Sequence, residues 1–179
     1  MTTQSGLRPS SDSLHWPTRQ GPLLRNRQLI DLERLMSRPS SDEYFLQMAA
    51  LVASRATCIR RKVGCVLVDW NNHVLSTGYN GVSRGATHCL DKPCVGAQLP
   101  SGQGLHLCEA IHAELNALVQ CRNIDDIHSI YCTASPCISC MRVIVGTGVK
   151  RIVFREEYPH PESRALAATR KIDWVHLPK

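Results

Sequence analysis

The chain has 179 residues, nine of them cysteine, with a formal net charge of +6 and 43% hydrophobic residues. That length suits one domain plus an appendage, and no apolar run approaches the ~18 residues of a membrane span. Residues 1–40 lack the continuous apolar stretch of a secretory signal, so the cysteines point to reduced thiols and metal and away from a disulfide framework.

Residues 1–25 are rich in Ser, Thr, Pro, Gly and Arg, a composition that predicts little fixed structure. Six arginines against three acidic residues in 1–40 supply half of the positive excess. The segment looks in part like an organellar transit peptide, but Asp12, Asp31 and Glu33 oppose that, and a cytoplasmic protein is the expectation. Asn26–Met36 can form a short helix with Leu29, Leu32 and Met36 on one face. The sequence Ser40-Ser41-Asp42-Glu43 has the form of a capping box. A helix should follow it to about Ala56, with Phe45, Met48, Ala49 and Val52 inward.

Val63–Trp70 reads as a buried strand, turned by Asn71-Asn72-His73 into a second strand, Val74–Tyr79. From Gly81 to Leu107 periodicity lapses while Gly, Pro, Cys and His accumulate. A structureless segment of that length needs an organiser other than apolar packing. The pattern then predicts helix Glu109–Gln120, with Ile111, Leu115, Leu118 and Val119 buried, strand Ile130–Thr133, and a helix from Pro136 to about Gly146. Strand Arg151–Phe154, helix Glu162–Arg170 and strand Asp173–Leu177 complete the order α-β-β-α-β-α-β-α-β. This alternation implies a three-layer α/β/α sandwich around a five-stranded mixed sheet, spanning 41–179 with a cysteine-rich insertion at 81–107 and an extension at 1–40.

Two clusters carry the chemistry. His112-Ala113-Glu114 is an H-x-E, and Pro136-Cys137-Ile138-Ser139-Cys140 is a P-C-x-x-C; together they form the signature of zinc-dependent nucleobase deaminases. One imidazole and two thiolates fill three tetrahedral positions of zinc and leave the fourth for a water that the metal acidifies. His112, Cys137 and Cys140 are therefore the expected catalytic zinc ligands, with Glu114 beside the metal as proton carrier. Cys137 and Cys140 fall on one helical turn, where free backbone amides stabilise thiolates. A lone C-x-x-C also occurs as a redox dithiol or half of a structural zinc knuckle. The backbone carbonyl of Ser135 is positioned in sequence to accept from an exocyclic amine.

Thr57-Cys58-Ile59-Arg60-Arg61-Lys62-Val63-Gly64, Ser76-Thr77-Gly78-Tyr79-Asn80-Gly81 and Ile111-His112-Ala113-Glu114-Leu115-Asn116-Ala117 together resemble deoxycytidylate (dCMP) deaminases, in their phage and bacterial pattern above all. The resemblance covers about residues 41–179 and implies a cytidine deaminase-like fold. It also implies hydrolysis of dCMP to dUMP and ammonia, which supplies thymidylate synthesis. It further implies that Asn80 contacts sugar or base; an amide before Gly81 is equally a turn residue. Arg60, Arg61 and Lys62 are implied near a 5′-phosphate, with one contact expected, from Arg61 or Lys62, since such a trio is more often solvated surface; Tyr158 is implied as a residue closing over it. A homo-oligomer (a hexamer) under dCTP and dTTP control belongs to the same implication, with the effector site near Gly81.

In phage members of that family, cysteines matching Cys58 and Cys89 bind a second, structural zinc, with a histidine and a glutamate completing it. This sequence departs there, offering Cys94, Cys108 and His106. The expected set is Cys58, Cys89, Cys94 and Cys108, with His106 in reserve; the alternative is buried, inert thiols, which is the expectation for Cys65, Cys121 and Cys132. Other readings are a deaminase of dCTP or 5-substituted dCMP, a nucleic-acid-binding or editing protein, and a zinc-stapled interaction module without catalysis. Nucleic acid is not the expected partner, since two Phe and three Trp leave few rings for stacking on bases.

Overall fold

A computed structural model describes residues 38–99, 103, 107–158 and 160–179. The expected helix at 26–36, nearly all of the extension and His106 lie outside the described residues.

Helix α1 (Ser41–Ala53) begins where the capping box places it: the Ser40 hydroxyl accepts from the Glu43 N–H at 3.2 Å. Strands β1 (Gly64–Val68) and β2 (Val74–Tyr79) form the expected hairpin. After the insertion come α2 (Ala113–Gln120), β3 (Ser129–Ala134), α3 (Ile138–Ile144), β4 (Arg151–Glu156), α4 (Pro161–Thr169) and β5 (Asp173–His176). The five-stranded sheet runs β2-β1-β3-β4-β5, antiparallel at β2-β1 and β1-β3, parallel at β3-β4 and β4-β5. It is the mixed sheet that the sequence predicts.

Alternation along the strands divides the core. Val66, Val68, Tyr131 and Val153 face α1 and pack on Phe45, Leu46 and Ala49. Cys65, Leu67, Ile130, Cys132, Ile152 and Phe154 face the opposite way, against Ala113 and Ala117 of α2, Met141 and Ile144 of α3 and Ala167 of α4. Among the described residues the layers are uneven, with α1 the one helix packed on its face. Among the described residues no helix is long and apolar enough to cross a membrane.

The start and the inward face of α2 differ from the expectation. Residues 109–112 are not helical: Ile111 exchanges backbone hydrogen bonds with Gly81 at 2.8 and 3.1 Å, which holds the approach to α2 extended. Val119, expected inside, is 83% exposed. The shorter helix buries Ala113, Ala117 and Leu118 instead.

Charge pins α1 across the sheet. Arg151 donates to both Asp42 oxygens, at 2.6 and 2.8 Å, and the Tyr131 hydroxyl donates at 3.0 Å. Arg155 donates to Glu43 at 2.6 Å. The Arg151 hydrogen bond holds the Asp42 carboxyl below its usual range, while burial and Asp42 push the Tyr131 hydroxyl up to about 12. A depressed carboxylate stabilises the fold above its unfolded value, about 3.9, and that contribution is lost as the pH falls through the folded value. Asp42→Asn should therefore lower stability at pH 7 by about 1–2 kcal/mol, or about 3–6 °C in melting temperature. The gap from the parent should narrow below about pH 4; a gap that widens in acid contradicts this role.

Candidate metal centre and substrate cavity

Two helix starts build the centre. His112 is the N-cap residue of α2 and Cys137 that of α3, both in extended backbone conformation, and neither side chain caps its own helix. Imidazole and thiol are thus turned off the helix ends. A close approach sets the position of α2: a Cβ on Gly78 of β2 would collide with the Ala113 carbonyl and the Ala117 amide. The His112 Nδ1 lies 3.4 Å from the sulfur of Cys137 and 3.4 Å from that of Cys140.

Among the described residues, His112, Cys137 and Cys140 are the one set of three or more metal-type donors whose atoms all lie within 4.8 Å of one another. The Cys140 thiol and His112 hydrogen-bond to the Cys137 sulfur and lower its pKa to about 3, so it is a thiolate. Sharing that hydrogen bond pushes Cys140 upward, and the Cys137 thiolate raises His112. A nitrogen and two sulfurs, one already ionised, with room beside them, fit zinc in a three-ligand site. Glu114 is 4% exposed. Burial lifts its carboxyl above the usual range, and a hydrogen bond from the Cys140 thiol places it against the cluster.

The cluster opens into a cavity of about 750 Å³, with Asn80, Arg61, Ser135, Tyr158 and His160 on its walls. Asn80 is nearly buried; its Oδ1 accepts from the Val63 N–H at 2.7 Å and its Nδ2 donates to the Arg61 carbonyl at 2.7 Å. Its amide thus binds the strand entry that carries Arg61, besides facing the cavity. Arg61 pairs with Glu156 at 2.8 Å and lies over the Tyr158 ring, 5.1 Å from its centroid. Lys62, by contrast, is exposed and outside the cavity lining. Arg60 does line it, and its guanidinium donates to the carbonyls of Gly96 at 2.6 Å and Gln103 at 3.2 Å.

The family model for the cytidine and deoxycytidylate deaminase zinc-binding region matches residues 39–156. The chain belongs to the cytidine and deoxycytidylate deaminase family. It is 42% identical over 139 residues to a Schizosaccharomyces pombe deoxycytidylate deaminase, covering 75% of this chain and 42% of that protein. A Mycobacterium phage D29 deoxycytidylate deaminase is 41% identical over 128 residues, covering 68% of this chain and 99% of the relative. The chain spans about two fifths of the yeast relatives it matches. Among solved structures, the cyanophage S-TIM5 dCMP deaminase in complex with dCMP and dUMP aligns with a TM-score of 0.64 at 27% identity. It covers 79% of this chain and 99% of that one.

Outside the family's zinc motif, the structure draws the insertion cysteines toward one another. The Cys94 sulfur hydrogen-bonds with Cys89 and Cys108 and receives the backbone N–H groups of Glu109 and Ala97, which hold it below the usual thiol range. Burial raises Cys108, as does Cys58 nearby. No three of the sulfurs of Cys58, Cys89, Cys94 and Cys108 lie within 4.8 Å of one another. Cys65 and Cys132 are fully buried and pair across β1 and β3 as core residues, and Cys121 is half-buried. The sequence pattern does not reveal His160 or the Arg60 contacts, because both depend on segments distant in the chain. Asn80→Ala removes two hydrogen bonds from a nearly buried site and should cost about 2–3 kcal/mol by denaturant unfolding. A loss below about 0.5 kcal/mol would show that water or a neighbour satisfies the strand entry without it.

Proposed function

We propose that the chain catalyses hydrolytic deamination of dCMP to dUMP and ammonia, at a zinc held by His112, Cys137 and Cys140. The observation that carries this reading is the convergence of one imidazole, two sulfurs and a buried carboxyl at the end of a nucleotide-sized cavity. The names of the yeast and phage relatives support dCMP as substrate, as do the ligands of the S-TIM5 enzyme.

Zinc, when bound, supplies the Lewis acid that acidifies the attacking water. The proton work belongs to Glu114. Buried beside the cluster, its carboxylate takes one proton from the attacking water and gives it to cytosine N3; it then takes the second proton from the new C4 hydroxyl and gives it to the exocyclic nitrogen, which leaves as ammonia as the C4–N bond breaks and the C4 carbonyl forms. The Ser135 carbonyl on the cavity wall accepts from that amine, and the remaining Asn80 N–H faces the sugar. Arg61 and Tyr158 take the 5′-phosphate. Supplied with dCMP, CMP, dCTP, 5-methyl-dCMP, cytidine and single-stranded DNA, the protein should release ammonia fastest from dCMP. Glu114→Ala should lose about 10²–10⁴-fold in rate. Release from DNA and not from mononucleotides, or near-parental turnover by the Glu114 variant, overturns the reading.

A second, structural zinc at Cys58, Cys89, Cys94 and Cys108 belongs to the same proposal. The supporting observation is the set of backbone N–H groups and thiols around the Cys94 sulfur. Purified protein should then contain about two zinc ions per chain, and Cys89→Ser about one, with lower stability. One zinc per chain, with Cys89→Ser as stable as the parent, removes the second site.

The reading also carries a cytoplasmic hexamer responsive to dCTP and dTTP. Exposed Leu51, Trp70 and Val119 provide apolar surface for self-association.

A further inference from the structure

The cavity lining includes a stack of side chains that the zinc motif does not explain. The Arg61 guanidinium lies over one side of Tyr158, and the His160 ring is 4.9 Å from the Tyr158 ring, tilted by 43°. All three line the cavity that contains the metal cluster. The stack is fixed to that cluster through the backbone. The Tyr158 N–H donates to the Ser135 hydroxyl at 2.7 Å, two residues before Cys137, and the Ser135 N–H donates to the Glu156 carbonyl at 2.8 Å. From the other side, Asn80 holds the Arg61 carbonyl.

Polar groups in the stack point to an anion. Among the described residues, neither the Tyr158 hydroxyl nor the His160 ring makes a hydrogen bond within the protein. The His160 Nδ1 stands 3.9 Å from Glu162 Oε2, beyond hydrogen-bond range. His160 is also the N-cap residue of α4, yet its side chain makes no capping bond. Two half-buried polar rings beside a guanidinium, facing one cavity, lack an acceptor from the protein and suit one from a ligand. The surrounding carboxylates limit how much negative charge such a ligand carries. Glu156, already on Arg61, is 72% exposed in its side chain and Glu162 is 66% exposed, so both can turn outward for one phosphate. A longer polyphosphate would run among Glu156, Glu157 and Glu162 and be repelled.

We infer that His160 is a specificity-determining residue of this cavity, donating to the 5′-phosphomonoester of a nucleotide that Arg61 and Tyr158 hold from the other side. The inference rests on the proposed deaminase reading for the identity of the base, but the phosphate contact is measurable without turnover.

The test compares product and dephosphorylated product on the full-length, zinc-loaded protein. Dissociation constants for dUMP and deoxyuridine are measured by titration calorimetry for the parent, His160→Asn and His160→Arg. Asparagine is a favoured N-cap residue, so helix α4 is preserved while the reach toward the phosphate is lost. Arginine restores a cationic donor. For His160→Asn, dUMP binding should weaken about tenfold, equivalent to about 1.4 kcal/mol. Deoxyuridine binding should not change, and His160→Arg should keep most of the discrimination. In turnover the asparagine change should appear in KM for dCMP and not in kcat. Equal losses for dUMP and deoxyuridine, no loss for either, or no phosphate preference in the parent overturns the inference. A parent that prefers dUMP over deoxyuridine but releases no ammonia from dCMP overturns the deaminase reading and leaves the His160 contact to be judged on binding alone.

Discussion

At Gly78 the backbone of β2 meets the backbone of α2, and no side chain fits between them. That contact sets how far the first turn of α2 projects, and so where His112 stands relative to the sulfurs at the start of α3. The extended approach at residues 109–112, tied to Gly81, leads the chain into the same point. A nitrogen within 3.4 Å of two sulfurs is thus produced by backbone packing, with the side chains only finishing it. Burial of Glu114 follows from the same geometry, because the first turn of α2 faces the core.

The sheet was legible in the sequence because its strands alternate cleanly between two buried faces. Val66 and Val68 serve one layer, Cys65 and Leu67 the other. The metal trio was legible because zinc chemistry dictates residue type and spacing together. The cavity mouth was less so. Its members come from the entry to β1, the end of β2 and the segment after β4, and nothing local marks them as neighbours. Arg60, Arg61 and Lys62 look interchangeable in sequence; the structure sends one to the insertion, one to the mouth and one to solvent. The start of α2 was misjudged because the pairing of Ile111 with Gly81 is a long-range bond that helical periodicity cannot reveal.

Polar groups here act as structural links between distant segments. Asn80 ties the end of β2 to the entry of β1, Ser135 ties the loop before Cys137 to Tyr158, and Arg60 ties β1's approach to the insertion at Gly96 and Gln103. Apart from the exposed bond to Gln103, each link is a half-buried hydrogen bond whose partner would be costly to leave unsatisfied. Through them the cavity mouth and metal cluster share a frame, which a site discriminating by phosphate as well as by base requires. Cys58 and Cys108 line the cavity as well.

The central claim is that one nucleotide spans the cavity with its pyrimidine at the His112–Cys137–Cys140 cluster and its phosphate at the Arg61–Tyr158 mouth. A crystal structure of the zinc-loaded Glu114→Ala variant soaked with dCMP tests this directly. The account predicts zinc on the three residues, cytosine C4 turned toward it, and the phosphate against Arg61 and Tyr158. Zinc absent from the cluster, or dCMP bound with its phosphate at the metal and its base outside, would contradict it.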